Sequence, residues 1–145
     1  MSHQMRLAVS LLAFLTVGAA VAGDDPVADR RQIMLMNSHL EDVALRVISG
    51  KYPMEKATAA MKTLQNNMTV FPTLFPMGSD KGYTEASPQI WENMDDFRSL
   101  AAKLVTDAKV AEGAAMKGVD AFALAFQAVQ ADCKGCHSKY DPRRD

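Results

Sequence analysis

Residues 130–140 read QADCKGCHSKY and contain both cysteines of the chain, with a histidine directly after the second. On a helix Cys133, Cys136 and His137 stand at i, i+3 and i+4, so all three project to one face within about one turn. Four chemistries compete for such a group. A Cys-x-x-Cys redox pair is expected at a helix start beside a βαβ pattern, whereas this pair closes a helical stretch. A zinc site needs three or four protein ligands, and outside residues 1–22 the only other histidine is His39. A disulfide across two intervening residues closes a tiny loop and adds little stability. Attachment of c-type haem uses every part: two thiols form thioethers and the adjacent imidazole binds iron.

These residues must be positioned by something, and the composition favours helices. The chain has 145 residues, a prior for one domain, with 10 Met and only 7% aromatics. Met and Ala rank high in helix propensity, while aromatic and β-branched residues suit strands. Basic and acidic side chains nearly balance, 16 against 17, so the basic excess of a nucleic-acid binder is missing.

Residues 1–22 read as a secretory signal peptide: a basic start with Arg6, an apolar run, and Ala20-Val21-Ala22 as a small-x-small cleavage site. The run is shorter than the ~20 residues of a membrane-spanning helix. Residues 23–145 form the expected domain, without a membrane span and placed in the periplasm, where c-type maturation is expected.

Four helices are expected. The first is capped by Asp25 with Pro26 at its first position and carries Ile33, Met36, Leu40, Val43 and Val47 on its apolar side, ending at Gly50. The second begins near Pro53 and repeats the spacing with Met54, Ala57, Met61, Leu64 and Met68. Residues 71–88, rich in Pro and Gly, are a long loop packed down by Phe71, Phe75 and Tyr83. Ser87-Pro88 opens the third helix, residues 112–118 are a short connection, and the fourth runs from about Val119 through the cysteine motif. Short links favour antiparallel neighbours, so the fold class is all-α, an up-down-up-down antiparallel four-helix bundle. Ala101, Ala102, Ala111, Ala114, Ala115, Ala121, Ala123, Ala125 and Ala128 are many small residues for one interior. Either the helices approach closely, or a body that is not a side chain fills the middle.

The chain resembles the class II c-type cytochromes, the cytochrome c prime family. The resemblance rests on the C-terminal CKGCH, the Phe-Pro loop leading into SPQIW, the spacing in LAFQAVQADCKGCHSKY, and Arg30 lying 20 residues before Gly50. It implies a four-helix bundle enclosing covalently bound haem c, one per chain, with thioethers at Cys133 and Cys136 and His137 as proximal iron ligand. In that register Met34 holds the sixth-coordination position. It is either the distal iron ligand or a non-bonded cap on an open face; Met36 is the remaining alternative. Arg30 is a candidate contact for a haem propionate, or else a plain solvent-exposed arginine. The expected function is one-electron transport with redox partner proteins of the periplasm, and not an enzyme. The alternative is a five-coordinate, high-spin haem protein binding nitric oxide or carbon monoxide. A homodimer is common in the family. The chain departs from it at Asp141, where relatives usually carry Arg or Lys four residues beyond the histidine; Arg143 and Arg144 follow instead.

The remaining candidates have plainer expectations. His39, five residues from Met34, cannot face the same iron and should be exposed. Trp91 should anchor packing, Tyr140 should pack near the haem edge, and Lys134 and Lys139 should be solvated. The pairs Glu41-Asp42 and Asp95-Asp96 should be surface charges.

Overall fold

The computed structural model describes residues 25–141, so the expected signal peptide, Pro142 and the arginines beyond it lie outside the described residues. Five helices follow in order: α1 Pro26–Ile48, α2 Met54–Val70, the single turn α3 Gln89–Glu92, α4 Met94–Ala115 and α5 Val119–Tyr140. No strand is present among the described residues. The four long helices form the bundle, with a 3₁₀ turn at Phe71–Leu74 after α2.

The ends of α1 follow from side-chain and backbone chemistry. Asp25 Oδ1 accepts from the Val27 and Ala28 N–H groups at 3.0 and 3.1 Å, satisfying donors that the first helical turn leaves open. At the other end Gly50, at φ 73°, adopts the left-handed conformation that closes a Schellman motif. Its N–H donates to Val47 O at 2.9 Å and that of Lys51 to Arg46 O at 2.8 Å.

Three expectations are corrected. The buried stripe of α1 is Arg30, Leu40, Ala44 and Val47, and Met36 stands 40% exposed. The inner face is therefore rotated toward Met34. The third helix is not continuous from Ser87-Pro88: Asn93, at φ −128°, ψ 43°, breaks it after one turn and α4 begins anew. At the far end α4 runs through Gly113 to Ala115, leaving only residues 116–118 as the connection.

Packing is uneven around the bundle. The contact between α2 and α4 is the most extensive, followed by α4 with α5, while α1 and α5 touch sparsely. Ala57 and Ala60 of α2 and Ala101, Ala108, Ala111 and Ala115 of α4 are buried, and small side chains let backbones approach. Ala102 and Ala128, by contrast, are exposed.

At the Tyr140 end an aromatic cluster fills the space between α4 and the long loop. Phe75 meets Phe71 at 5.1 Å and Phe97 at 4.7 Å, and Phe97 meets Tyr140 at 5.3 Å, all edge-to-face. Such pairs add ~0.5–1.5 kcal/mol each beyond the area they bury. Tyr83, expected to pack down, is 85% exposed and lies 5.5 Å from the Arg31 guanidinium.

Candidate functional site

The sparse α1–α5 seam opens onto two cavities, of about 320 and 310 Å³. The larger is walled by Met61, Leu64 and Met68 of α2, Leu104 of α4, and Phe126, Val129 and Cys133 of α5. The smaller is walled by Phe71, Phe75, Ile90, Phe97 and Tyr140. Met34 and Ser38 of α1 and Cys136 and His137 of α5 border both. The helical spacing of the cysteine motif therefore delivers its histidine and second thiol to the junction of the cavities. The first thiol faces the larger one.

The thiols are free and half-buried. Burial pushes both up to about 11, with Glu41 and Asp132 adding to the effect at Cys133 and Asp96 at Cys136. A redox or metal-binding cysteine needs an accessible thiolate near neutral pH, and this environment suppresses it. No cluster of three or more His, Cys, Asp or Glu suited to a metal ion occurs among the described residues. Two protonated thiols beside an apolar cleft and one imidazole fit a covalently attached macrocycle better than either alternative.

Arg30 is not the solvent-exposed arginine of the alternative expectation. It is buried at 4% exposure, and its guanidinium donates to Ser79 Oγ at 3.2 Å and Ser79 O at 2.8 Å. The same group lies 4.5 Å from the Phe75 ring centre and 5.7 Å from that of Trp91. Burial lowers its pKa, against the opposing charge of Asp25. Arg30 thus staples the 76–88 loop to α1 while bordering the smaller cavity. The loop is also held where Trp91 Nε1–H donates to Pro76 O at 3.1 Å and Ser87 N–H to Tyr140 O at 2.9 Å. Trp91 is accordingly a packing anchor.

Met36 lines neither cavity, which leaves Met34 as the methionine of α1 at the cleft. His39 is exposed, as expected. Lys139 and Asp96 are exposed, as expected, and paired: Lys139 Nζ reaches Asp96 Oδ2 at 2.8 Å, and Tyr140 Oη donates to the same oxygen at 2.6 Å. Sequence reading missed the polar border of the larger cavity, formed by Asn37, Glu41, Gln130 and Lys134. Gln130 Nε2 donates to Glu41 Oε1 at 3.0 Å across the open seam. Asn37 and Glu41 follow Met34 by three and seven residues, so helical periodicity was the available signal. Met68, read as core, accepts at Sδ from Asn37 Nδ2 at 3.3 Å.

A helical bundle that presents Cys-x-x-Cys-His from its last helix onto an apolar cleft is the architecture of a bundle-type c-type cytochrome. Residues 25–141 match the family described as Cytochrome C', and the chain belongs to that family. It is 37% identical over 136 residues to cytochrome c-556 of Agrobacterium fabrum, covering 92% of this chain and 91% of the relative. The solved cytochrome c' of Rhodopseudomonas palustris superposes with a TM-score of 0.76 at 26% identity, covering 81% of this chain and 96% of that one. A second solved cytochrome c', with a ligand-controlled dimer dissociation, superposes at 0.75 and 24% identity, covering 81% and 94%. The protein is thus a haem-binding, electron-carrier-type cytochrome with covalently bound haem c, its two cysteines lying near the C-terminus. No helix among the described residues is long and apolar enough to cross a membrane.

Proposed function

We propose that this chain is a periplasmic one-electron carrier in which Cys133 and Cys136 hold the haem through thioethers, His137 is the proximal iron ligand and Met34 the distal one. The observation that carries this reading is that Met34 and His137, on helices that barely touch, border both cavities. Bound haem supplies an iron that gains and loses one electron. The chain does the rest. The two cysteines fix the orientation of the group, and the apolar walls from Phe126, Val129 and Leu64 exclude water from the cleft. Keeping a thioether and an imidazole in both oxidation states limits rearrangement on electron transfer, and thioether ligation raises the reduction potential. Arg30, already fixed by Ser79, presents its remaining donors to a haem propionate, which a guanidinium suits geometrically. Lys134 is exposed at the rim of the larger cavity and lies where redox partner proteins of the periplasm meet the haem edge. Exposed Leu35 and Leu45 on α1 support a homodimer through that helix.

Ferric and ferrous absorption spectra with and without carbon monoxide test the ligand set. The expected result is a low-spin spectrum with a methionine-to-iron charge-transfer band that Met34→Leu abolishes. A high-spin ferrous protein that takes up carbon monoxide readily would overturn it in favour of a five-coordinate gas-binding cytochrome.

A further inference from the structure

The last helix ends at Tyr140, and its C-cap residue Asp141, four beyond His137, turns a carboxylate inward. The Asp141 N–H donates to His137 O at 2.7 Å, and the Asp141 backbone then leaves the helix at φ −138°, ψ 68°. A residue before proline is disfavoured from the helical region, and residue 142 is proline. The Asp141 side chain borders the smaller cavity together with His137, Cys136 and Tyr140, and its Oδ1 is buried without a hydrogen-bond partner. Leaving such an acceptor unpaired costs ~1–3 kcal/mol, and more for a charged group.

Donors around it are already engaged. Tyr140 Oη donates to Asp96, and the Ser87 N–H to Tyr140 O. An imidazole that binds a metal through one nitrogen carries its proton on the other, and that N–H characteristically seeks a carboxylate or carbonyl. Resting on the reading of His137 as proximal ligand, we propose that the Asp141 carboxylate is the acceptor for the outward N–H of the iron-bound imidazole. Asp141 is then a positioning residue: it orients the ring, makes it a more basic ligand and so favours the ferric state. A basic residue at the same place would act in the opposite direction, by withdrawing electron density from the ring.

The haem-loaded full chain carries the test, in three variants: Asp141→Asn, Asp141→Glu and Met34→Leu combined with Asp141→Asn. Asp141→Asn should raise the reduction potential by the equivalent of about tenfold in the one-electron equilibrium, which is 59 mV. Asp141→Glu, which keeps the charge but moves it, should give an intermediate value. In the Met34→Leu background, the iron–histidine vibration of the ferrous protein should fall in frequency when Asp141 becomes Asn. Helicity and Tm of the Asn variant should stay close to the parent, since a structural role alone moves stability and not that vibration. An unchanged potential and an unchanged vibration would overturn the assignment. The result is separable from the ligand assignment at Met34. If the wild-type iron proves five-coordinate, the vibration is read directly in the wild type, and the Asn substitution still has to shift it.

Discussion

The α2–α4 seam and the α1–α5 seam are built by opposite means. In the first, Ala57, Ala108 and Ala111 are wholly buried, and the two helices close on each other without a guest. In the second, α1 faces α5 with Met34, Asn37, Ser38 and Glu41 across open volume, and the hydrogen bond from Gln130 to Glu41 spans the gap. Small residues make a seam that is complete in the polypeptide. The other seam is complete only once the bound group supplies the missing apolar surface. The buried alanines on α4 and the cavity beside α5 thus answer one question in two places: close approach here, a non-protein filler there.

The largest test of this contrast removes the filler. The double variant Cys133→Ser, Cys136→Ser should have the mass of the bare polypeptide and lose its Soret absorption after acid extraction. Without the group, backbone amides of α1 and α5 should exchange many-fold faster, while those at the centre of α2 and α4 keep most of their protection. Equal loss of protection in all four helices would show that the seams are not independent.

The next test reverses the logic by adding bulk. Ala108 is 0% exposed, so Ala108→Leu forces extra methylenes into a closed seam and should cost ~1–3 kcal/mol in denaturant melts of the holoprotein. Leucine at Met61, which walls the larger cavity on the open side, is close to volume-conserving and should cost under about 1.5 kcal/mol. If both substitutions were equally harmless, the α2–α4 contact would not be the tight one.

This contrast also explains what the sequence disclosed. The cysteine motif, the helix starts at Pro26 and Val119 and the apolar spacing on α2 were legible because each depends on residues within a turn or two. The rotation of α1 was legible only through the family register that put Met34 at the sixth-coordination position, and not from the apolar spacing, which favoured Met36. Met36 and Met34 are equally good helix-formers and equally apolar, and only the placement of the loop and α5 decides which faces inward. Arg30 was legible as a site candidate from its register with Gly50, but its hold on Ser79 joins residues far apart in the chain. The break at Asn93 had no proline or glycine to announce it. The inward turn of Asp141 was visible only as an unexpected charge.

The smallest test concerns the clip that holds the end of α5 on α4, next to the open seam. Asp96 accepts from Lys139 and Tyr140, and these hydrogen bonds, the one from Lys139 first, lower its pKa below the ordinary 3.8. A carboxylate with a depressed folded-state pKa contributes stability that is fully present above its unfolded value and is lost as pH falls through the folded one. Asp96 is 47% exposed on its side chain, so the contribution is modest and weakened by salt. Asp96→Asn should therefore lower Tm slightly at pH 7, with the deficit shrinking as pH drops below 3.8 and shrinking also at high salt. A deficit that persisted undiminished in acid would mean that Asp96 acts through its shape, and that the end of α5 is held by the packing of Tyr140 on Phe97 rather than by charge.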